Sequence, residues 1–330
     1  MTKRNPLLAS FLALAILSLL YWGISALKTR NETAEADAEA ARLAVLSLEG
    51  ANEISCAGPA GELTFINDVG VWRAANYDGW PLDQNAIETL EYDLISLKAV
   101  RVLDEHGALA DYGLDAPLYT VTITDPEGGE HILTISGEDV NGNLYAALEG
   151  DGRVFTIAPS LASSLDKGIL SYVEYPQLPH PAEDSITAIT LEQGGDIWQY
   201  ARVETAAGES DAGGETRYGW RCLKNAEEAE AVNENIASAI YDLTQLSFSS
   251  CVAYDISGEE LAGYGLEAPY AVITVSYNET GEDDGYSLTV GDSFGETSAE
   301  SAYVALGESR AVTVCAYTGL SDAITLLRSA

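Results

Sequence analysis

LADYGLDAP (residues 109–117) and LAGYGLEAP (residues 261–269) are almost the same nine residues, and 152 positions separate Tyr112 from Tyr264. In both copies Gly113 and Gly265 can adopt a positive φ at little cost, so each is expected to make a turn. Pro117 and Pro269 push Ala116 and Ala268 toward extended backbone and open a strand whose first residue lacks an amide donor. Tyr112, Leu114, Tyr264 and Leu266 are the side chains expected to pack the turn onto a sheet. The folding role leaves out Asp115 and Glu267, which become the candidate partner contacts of the phrase, and the unmatched pair Asp111 and Gly263.

The surroundings of the phrase repeat as well. Before the first copy, AIETLEYDLISLKAV carries Ile87, Leu90, Leu94 and Leu97 at three- and four-residue steps, the period of a helix with one apolar face. After it come YTVTIT, HILTIS, LYAAL and RVFTI, separated by short polar turns, which indicates antiparallel strands rather than helical crossovers. Upstream, Val45 to Leu48 reads as an opening strand, and LTFINDVGVWRAA reads as a hairpin turning at Asn67-Asp68. A helix over PSLASSLDKGIL closes the unit. The turn Asp139-Val140-Asn141-Gly142-Asn143 is read as a hairpin, since Asn-Gly favours the type I′ geometry.

The second half follows the same programme. SITAITLEQ answers the opening strand, Trp220 answers Trp72, IASAIYDLTQL answers the helix, and YAVITVSY, YSLTVG, AYVAL and RAVTV answer the four strands before a final helix over SDAITLLRSA. The offset grows from 148 at Trp72/Trp220 to 157 at Arg153/Arg310, as loops lengthen between persistent elements. The Gly- and acid-rich insertions ETAAGESDAGGETR and NETGEDDG are expected to be mobile. The expected fold class is therefore α+β: two tandem repeats, each a mainly antiparallel sheet with one or two packed helices. The expected boundaries are 1–30 for an N-terminal membrane anchor, 31–44 for a polar stalk, 45–173 and 185–330 for the repeats, and 174–184 for a Pro-rich linker containing Pro176, Pro179 and Pro181.

From Asn5 to Leu27 no residue is charged, and the stretch is long enough to cross a hydrocarbon layer of about 30 Å as a helix. It is a membrane helix or a signal peptide; Ile24-Ser25-Ala26 meets only half of the small-residue rule for cleavage, which favours an uncleaved single-pass anchor. No Cys follows the apolar run to carry a lipid. Lys3 and Arg4 against Lys28 and Arg30 lean toward a body outside the cell membrane.

Beyond position 30 the remaining 12 basic residues face all 52 acids, a net charge of −40. Such a surface repels nucleic acid, whose binding needs basic side chains to displace counterions, and suits a basic partner, a cation or simple solvation. Four cysteines, Cys56, Cys222, Cys251 and Cys315, lack the C-x-x-C spacing of a zinc site; either two disulfides or isolated buried thiols fit them. The three histidines, His106, His131 and His180, form no metal or catalytic pattern and read as surface residues. Asp139, Asn141 and Asn143 give a weak calcium pattern, with acceptors at alternate positions, but Leu144 stands where such a loop needs Gly. No cofactor is implied, and no catalytic residue is assigned.

This arrangement resembles a bacterial family known as domain of unknown function 4340. The matching residues are Trp72, Leu109 to Pro117, Ile135-Ser136-Gly137, Leu144-Tyr145-Ala146 and Val154-Phe155-Thr156-Ile157 in the first copy. In the second they are Trp220, Leu261 to Pro269, Thr289-Val290-Gly291, Ala302-Tyr303-Val304 and Val312-Thr313-Val314. The resemblance implies a membrane-anchored extracytoplasmic protein associated with ABC-type exporters or gliding-motility-like transport components. It supplies no catalytic residues. The expected function is thus a non-enzymatic accessory or scaffold that binds a protein partner such as a permease, with an envelope glycan- or cation-binding module and a carboxylate-based hydrolase as the alternatives.

Overall fold

The computed structural model describes residues 36–205, 217–229, 231–279, 281–295 and 300–330, together with Trp22 and Lys28. Residues 36–43 are helical (α1). Among the described residues no helix is long and apolar enough to cross a membrane. The apolar stretch 5–27, on which the anchor reading rests, lies outside them apart from Trp22.

The chain divides into two compact units, one ending at Trp80 and resuming over Gln84–Gly168, the other made of Pro81–Asp83 with Ile169–Ala330. The first contains β1 (Glu53–Gly58), β2 (Gly61–Asp68), β3 (Val71–Ala74), α2 (Gln84–Ile95), β4 (Arg101–Leu103), β5 (Tyr119–Thr124), β6 (Glu130–Glu138), β7 (Leu144–Leu148), β8 (Val154–Ile157) and α3 (Ser160–Leu165). Its eight strands form one antiparallel sheet in the order β3-β2-β1-β5-β6-β7-β8-β4. The second contains β9 (Ile186–Gln193), β10 (Asp196–Thr205), β11 (Arg217–Lys224), β12 (Glu227–Ala229), α4 (Asn233–Gln245), β13 (Phe248–Tyr254), α5 (Glu259–Ala262), β14 (Ala271–Asn278), β15 (Asp283–Phe294), β16 (Ser301–Leu306), β17 (Ala311–Ala316) and α6 (Tyr317–Ser329). Its order is β12-β11-β10-β9-β14-β15-β16-β17-β13, which is the first order strand for strand with β12 added at one edge.

Alternation of apolar and polar residues explains most of these strands. In β5 the inward Tyr119, Val121 and Ile123 are buried while the residues between them are half-exposed, the pattern of a sheet with one face on a core. In the second unit that core is filled by Ile236, Ile240 and Leu243 of α4 and Leu320, Ile324 and Leu327 of α6, packed on Ile189, Ile273, Leu288 and Val304 of the sheet. Every residue of β8 and all but the last of β17 are buried, because these strands are covered on both faces. In each unit the amide of the matching tryptophan is met in the same way by the start of the main helix. The Trp72 amide donates to Gln84 Oε1 at 2.7 Å, and the Trp220 amide donates to Asn233 Oδ1 at 3.0 Å; both acceptors sit on the first residue of the helix.

Several expectations change. Val45 to Leu48 is not a strand: Val45 and Leu46 are both buried, and their successive amides both donate to the Leu97 carbonyl while Leu48 donates to that of Ile95. This segment therefore caps the carbonyls beyond the end of α2, and β1 takes the opening-strand position. The β2–β3 hairpin turns at Val69-Gly70, two residues later than read, with φ of 54° and 86° across the Asp68–Val71 pair; that is type I′ geometry, and a β-branched residue holds it only under strain. At the next candidate turn only Gly142 is left-handed. The turn there is closed by the Gly142 amide on the Asp139 carbonyl at 3.0 Å, so the type I′ reading of Asn141-Gly142 is replaced, because the Asp139 carboxylate organises the loop. On either side of the NETGEDDG insertion the strands pair, Asn278 with Asp283, and Tyr277 donates to Asp284 at 3.2 Å; Thr280 of this insertion and residues 206–216 of the other lie outside the described residues. The strands β4, β12 and β13 were not anticipated. The Pro-rich segment packs on the second unit through Leu178, 2% exposed, and through His180 Nδ1, 2.8 Å from the Thr244 carbonyl.

Candidate functional site

The repeated phrase is a helix-ending turn in both units. Residues Leu109–Tyr112 form one turn of 3₁₀ helix and Glu259–Ala262 a short α turn. Leu114 N–H returns to the Leu109 carbonyl at 3.0 Å and Gly113 N–H to Ala110 at 3.2 Å; Leu266 and Gly265 do the same to Leu261 and Ala262, both at 3.1 Å. This paired return is the Schellman C-cap, which requires a left-handed residue at the glycine. Gly113 has φ 71° and Gly265 φ 70°. After the proline, the Leu118 amide donates to Ile135 at 2.9 Å and the Tyr270 amide to Val290 at 2.8 Å, which docks each turn on the strand that follows it in the hairpin.

What holds the turn down is a second part of the motif, far away in sequence. β6 has a bulge between Ser136 and Glu138 and β15 one between Val290 and Ser293, so Gly137 and Gly291 sit beneath the turn. A Cβ on Gly291 would lie 2.1 Å from the Tyr264 carbonyl oxygen, whereas one on Gly137 would be 3.8 Å from that of Tyr112. Asp292 N–H donates to the Tyr264 carbonyl at 2.9 Å. Above the seat, Tyr112 packs against Tyr145 with ring centroids 5.0 Å apart, and Tyr264 against Tyr303, also at 5.0 Å. Leu114 is buried with Ala147 and Val154, and Leu266 with Ala253 and Val312. Tyr112, Gly113, Leu114, Tyr264, Gly265 and Leu266 thus each close the turn or pack it on the sheet. Asp115 and Glu267 are exposed and enter no ion pair among the described residues.

Register corrects one correspondence. Tyr145 pairs with Thr156 and Tyr303 with Val314, so the last strands correspond at an offset of 158, and Arg153 is not the counterpart of Arg310. Arg153 forms a two-pronged pair with Asp151, at 2.5 and 2.6 Å, while Arg310 pairs with Asp255. The Arg153 contact holds the Asp151 carboxyl below its ordinary range.

Beside the first turn lies a cleft of about 520 Å³, within the size range of small-ligand sites. Its floor is Leu109, Leu114, Ile132, Ala147 and Leu148, and its rim includes His106, Thr134, Glu149 and Arg153. Most of the rim is already engaged. Thr134 Oγ1 donates to the Ala147 carbonyl at 3.2 Å, Arg153 Nη1 donates to that of Arg42 at 3.1 Å, and both His106 ring nitrogens lie near carbonyl oxygens. The cleft offers apolar surface with few free polar groups, and holds no nucleophile beside a base. Only Leu109 and Leu114 of its floor belong to the repeated phrase; the rest was not legible because β6 and β7 supply it across the sheet.

The other candidates are engaged locally. The Asp139 carboxylate accepts the amides of Asn141 at 2.7 Å and Asn143 at 3.0 Å. Desolvation pushes it up, but these amide donations hold it net below its ordinary value. Among the described residues no group of three or more His, Cys, Asp or Glu is placed to hold a metal ion. His131 Nε2 lies 2.9 Å from Asp125 Oδ2, in the β5–β6 turn whose Glu127 and Gly129 amides the same carboxylate accepts. The four cysteines are buried free thiols; burial pushes Cys56 and Cys315 up to about 12.

No curated protein matches the chain. Residues 72–217 match the family described as Domain of unknown function (DUF4340). The match begins at Trp72 and takes in the whole of the first phrase, its glycine seat and the cleft, so this stretch of the chain is similar to the DUF4340 family.

Proposed function

We propose that the protein is a non-enzymatic, membrane-anchored extracytoplasmic accessory or scaffold, built as a tandem pair of one α+β module and bound to a protein partner such as the permease of an ABC-type or gliding-motility-like complex. One observation carries this reading. The most distinctive feature of the sequence occurs twice, in two sheets of the same strand order, and its residues close a turn and seat it on a bulge rather than converge on a reacting centre. Repeated, rigid, acidic surfaces suit binding, and the uncharged stretch 5–27 suits attachment to a bilayer. The test is co-purification: a chain retaining the anchor but lacking residues 45–330 loses the permease under this reading, and unchanged recovery of the permease refutes it.

The cleft supports a second reading, an envelope module that binds a small ligand or glycan, because its volume of about 520 Å³ suits such an occupant. Calorimetry with cell-wall fragments and with Ca²⁺ separates the two; heat that disappears when Leu114 is changed favours the cleft.

A further inference from the structure

In each unit the chain leaving the strand after the main helix is tied to the turn before the last strand, but the two ties differ in chemistry. In the second unit, Asp255 and Arg310 form an ion pair, with Arg310 Nε 2.6 Å from Asp255 Oδ1, and the Asp255 amide donates to the Arg310 carbonyl at 2.9 Å. At the offset of 158 the residue matching Arg310 is Gly152, and Gly152 is where the first unit makes its tie. His106 Nε2 lies 3.0 Å from the Gly152 carbonyl oxygen and His106 Nδ1 lies 2.8 Å from that of Gly107. Both neighbours are acceptors. A neutral imidazole has one N–H and satisfies one of them; only the imidazolium donates to both.

We infer that His106 is a proton-operated staple on the rim of the first unit's cleft, fastening the segment that follows β4 to the β7–β8 turn when protonated and releasing one of its two anchors when neutral, at the position where the second unit carries a permanent ion pair. The hydrogen bonds to Gly152 and then to Gly107 raise the His106 pKa above its ordinary value. A raised histidine stabilises the folded tie fully below the ordinary histidine range and loses that contribution as pH rises through the folded value. The Asp255 carboxyl is shifted the other way, held low by Arg310, so the second tie persists through neutral pH.

The titratable and charged groups around His106 are consistent with its protonation. On its own segment, Asp104 pairs with Arg42 at 2.7 Å, Glu105 adjoins it, and Asp111 accepts the Ala108 amide. Tyr112 packs edge-on to the His106 ring at 6.3 Å and accepts the Gly107 amide on its hydroxyl. From the β7–β8 turn come Glu149, Asp151 and Arg153, the last two paired with each other; β4 contributes Arg101. The floor strand β6 adds only Ile132 and Thr134 to the cleft. Among these, Glu105, Asp111 and Glu149 are the carboxylates without a basic partner among the described residues.

The staple is a property of the cleft whatever occupies it, so its test is independent of partner recovery. Hydrogen exchange of the full chain, corrected for intrinsic rates, compares about pH 5.5 with about pH 8.5 in wild type and His106→Gln. In wild type, protection over residues 104–108 and 149–153 falls about two- to tenfold at the higher pH, the effect of one net hydrogen bond, while residues 254–256 and 308–311 show no such fall. In His106→Gln the first region is equally weakly protected at both values. The imidazole signal that disappears in this variant titrates with a midpoint above about 6.5. A wild-type fall of equal size at both ties, a fall retained in His106→Gln, or a midpoint at or below the ordinary value overturns the inference.

Discussion

Gly291→Ala isolates the seat of the repeated turn. The new methyl would sit 2.1 Å from the Tyr264 carbonyl oxygen and 3.1 Å from Leu266 Cδ2. The first obstacle is backbone and cannot rotate away, so the turn must lift from β15 by more than about 1 Å to reach an ordinary carbon–oxygen contact. Lifting weakens the Asp292 N–H bond to Tyr264, now 2.9 Å, and unseats Leu266 from Ala253 and Val312. Overpacking of this kind costs about 1–3 kcal/mol and a lost hydrogen bond about 1 kcal/mol, so the expected loss is about 2–4 kcal/mol. Gly137→Ala is the matched control. Its methyl would stand 3.8 Å from the Tyr112 carbonyl, and replacing a glycine whose conformation alanine can share is neutral to slightly stabilising, by up to about 1 kcal/mol. Urea unfolding followed by tryptophan fluorescence reads both variants, since Trp72 and Trp80 report on the first unit and Trp198 and Trp220 on the second. A Gly291→Ala loss below about 0.5 kcal/mol, or an equal loss in Gly137→Ala, refutes the argument that the distant glycine is what seats the turn.

Other outcomes follow from particular side chains. Thr156 is fully buried with an unpartnered hydroxyl where the second unit has Val314; Thr156→Val is expected to stabilise the first unit by about 1 kcal/mol, and calorimetry showing a lowered melting temperature counts against this. Asp125→Asn is expected to destabilise the first unit at neutral pH, because His131 first, and the Gly129 and Glu127 amides with it, hold the Asp125 carboxyl below its ordinary value. A depressed carboxyl contributes above its unfolded pKa and loses that contribution as pH falls through its folded pKa, so the wild-type advantage in melting temperature should vanish in acid; an advantage that grows there is the contrary result. All four cysteines are buried, so thiol labelling at about pH 8 should be negligible in the native chain and reach all four in denaturant. Rapid labelling of the folded chain would contradict their placement.

The repeated turn was readable because its decisive bonds are local: Leu109, Ala110, Gly113 and Leu114 lie within six consecutive positions, and glycine's freedom at positive φ is a property of the residue. Strands such as Tyr119–Thr124 were readable for a similar reason, since side-chain alternation follows directly from the pleat. Val45 to Leu48 misled because its hydrophobic residues are buried by capping the end of α2, and local pattern cannot tell a buried coil from a strand. β4 and β13 leave little local signature because they are held at the sheet edge by pairing with β8 and β17, far along the chain.

By itself, then, the sequence determined the local grammar: helix-ending turns, alternating strands, an acidic body, an uncharged stretch at 5–27 and two renderings of one element order. Only the tertiary structure decided that Gly291 lies under the Tyr264 carbonyl, that Thr156 buries an orphan hydroxyl, that the thiols are separate and buried, and that His106 meets Gly152. The physical reason is range. A φ preference or a hydrophobic period acts between neighbours in the chain, whereas a close approach, a cleft or a doubly hydrogen-bonded imidazole exists only once strands distant in sequence have been brought to one register.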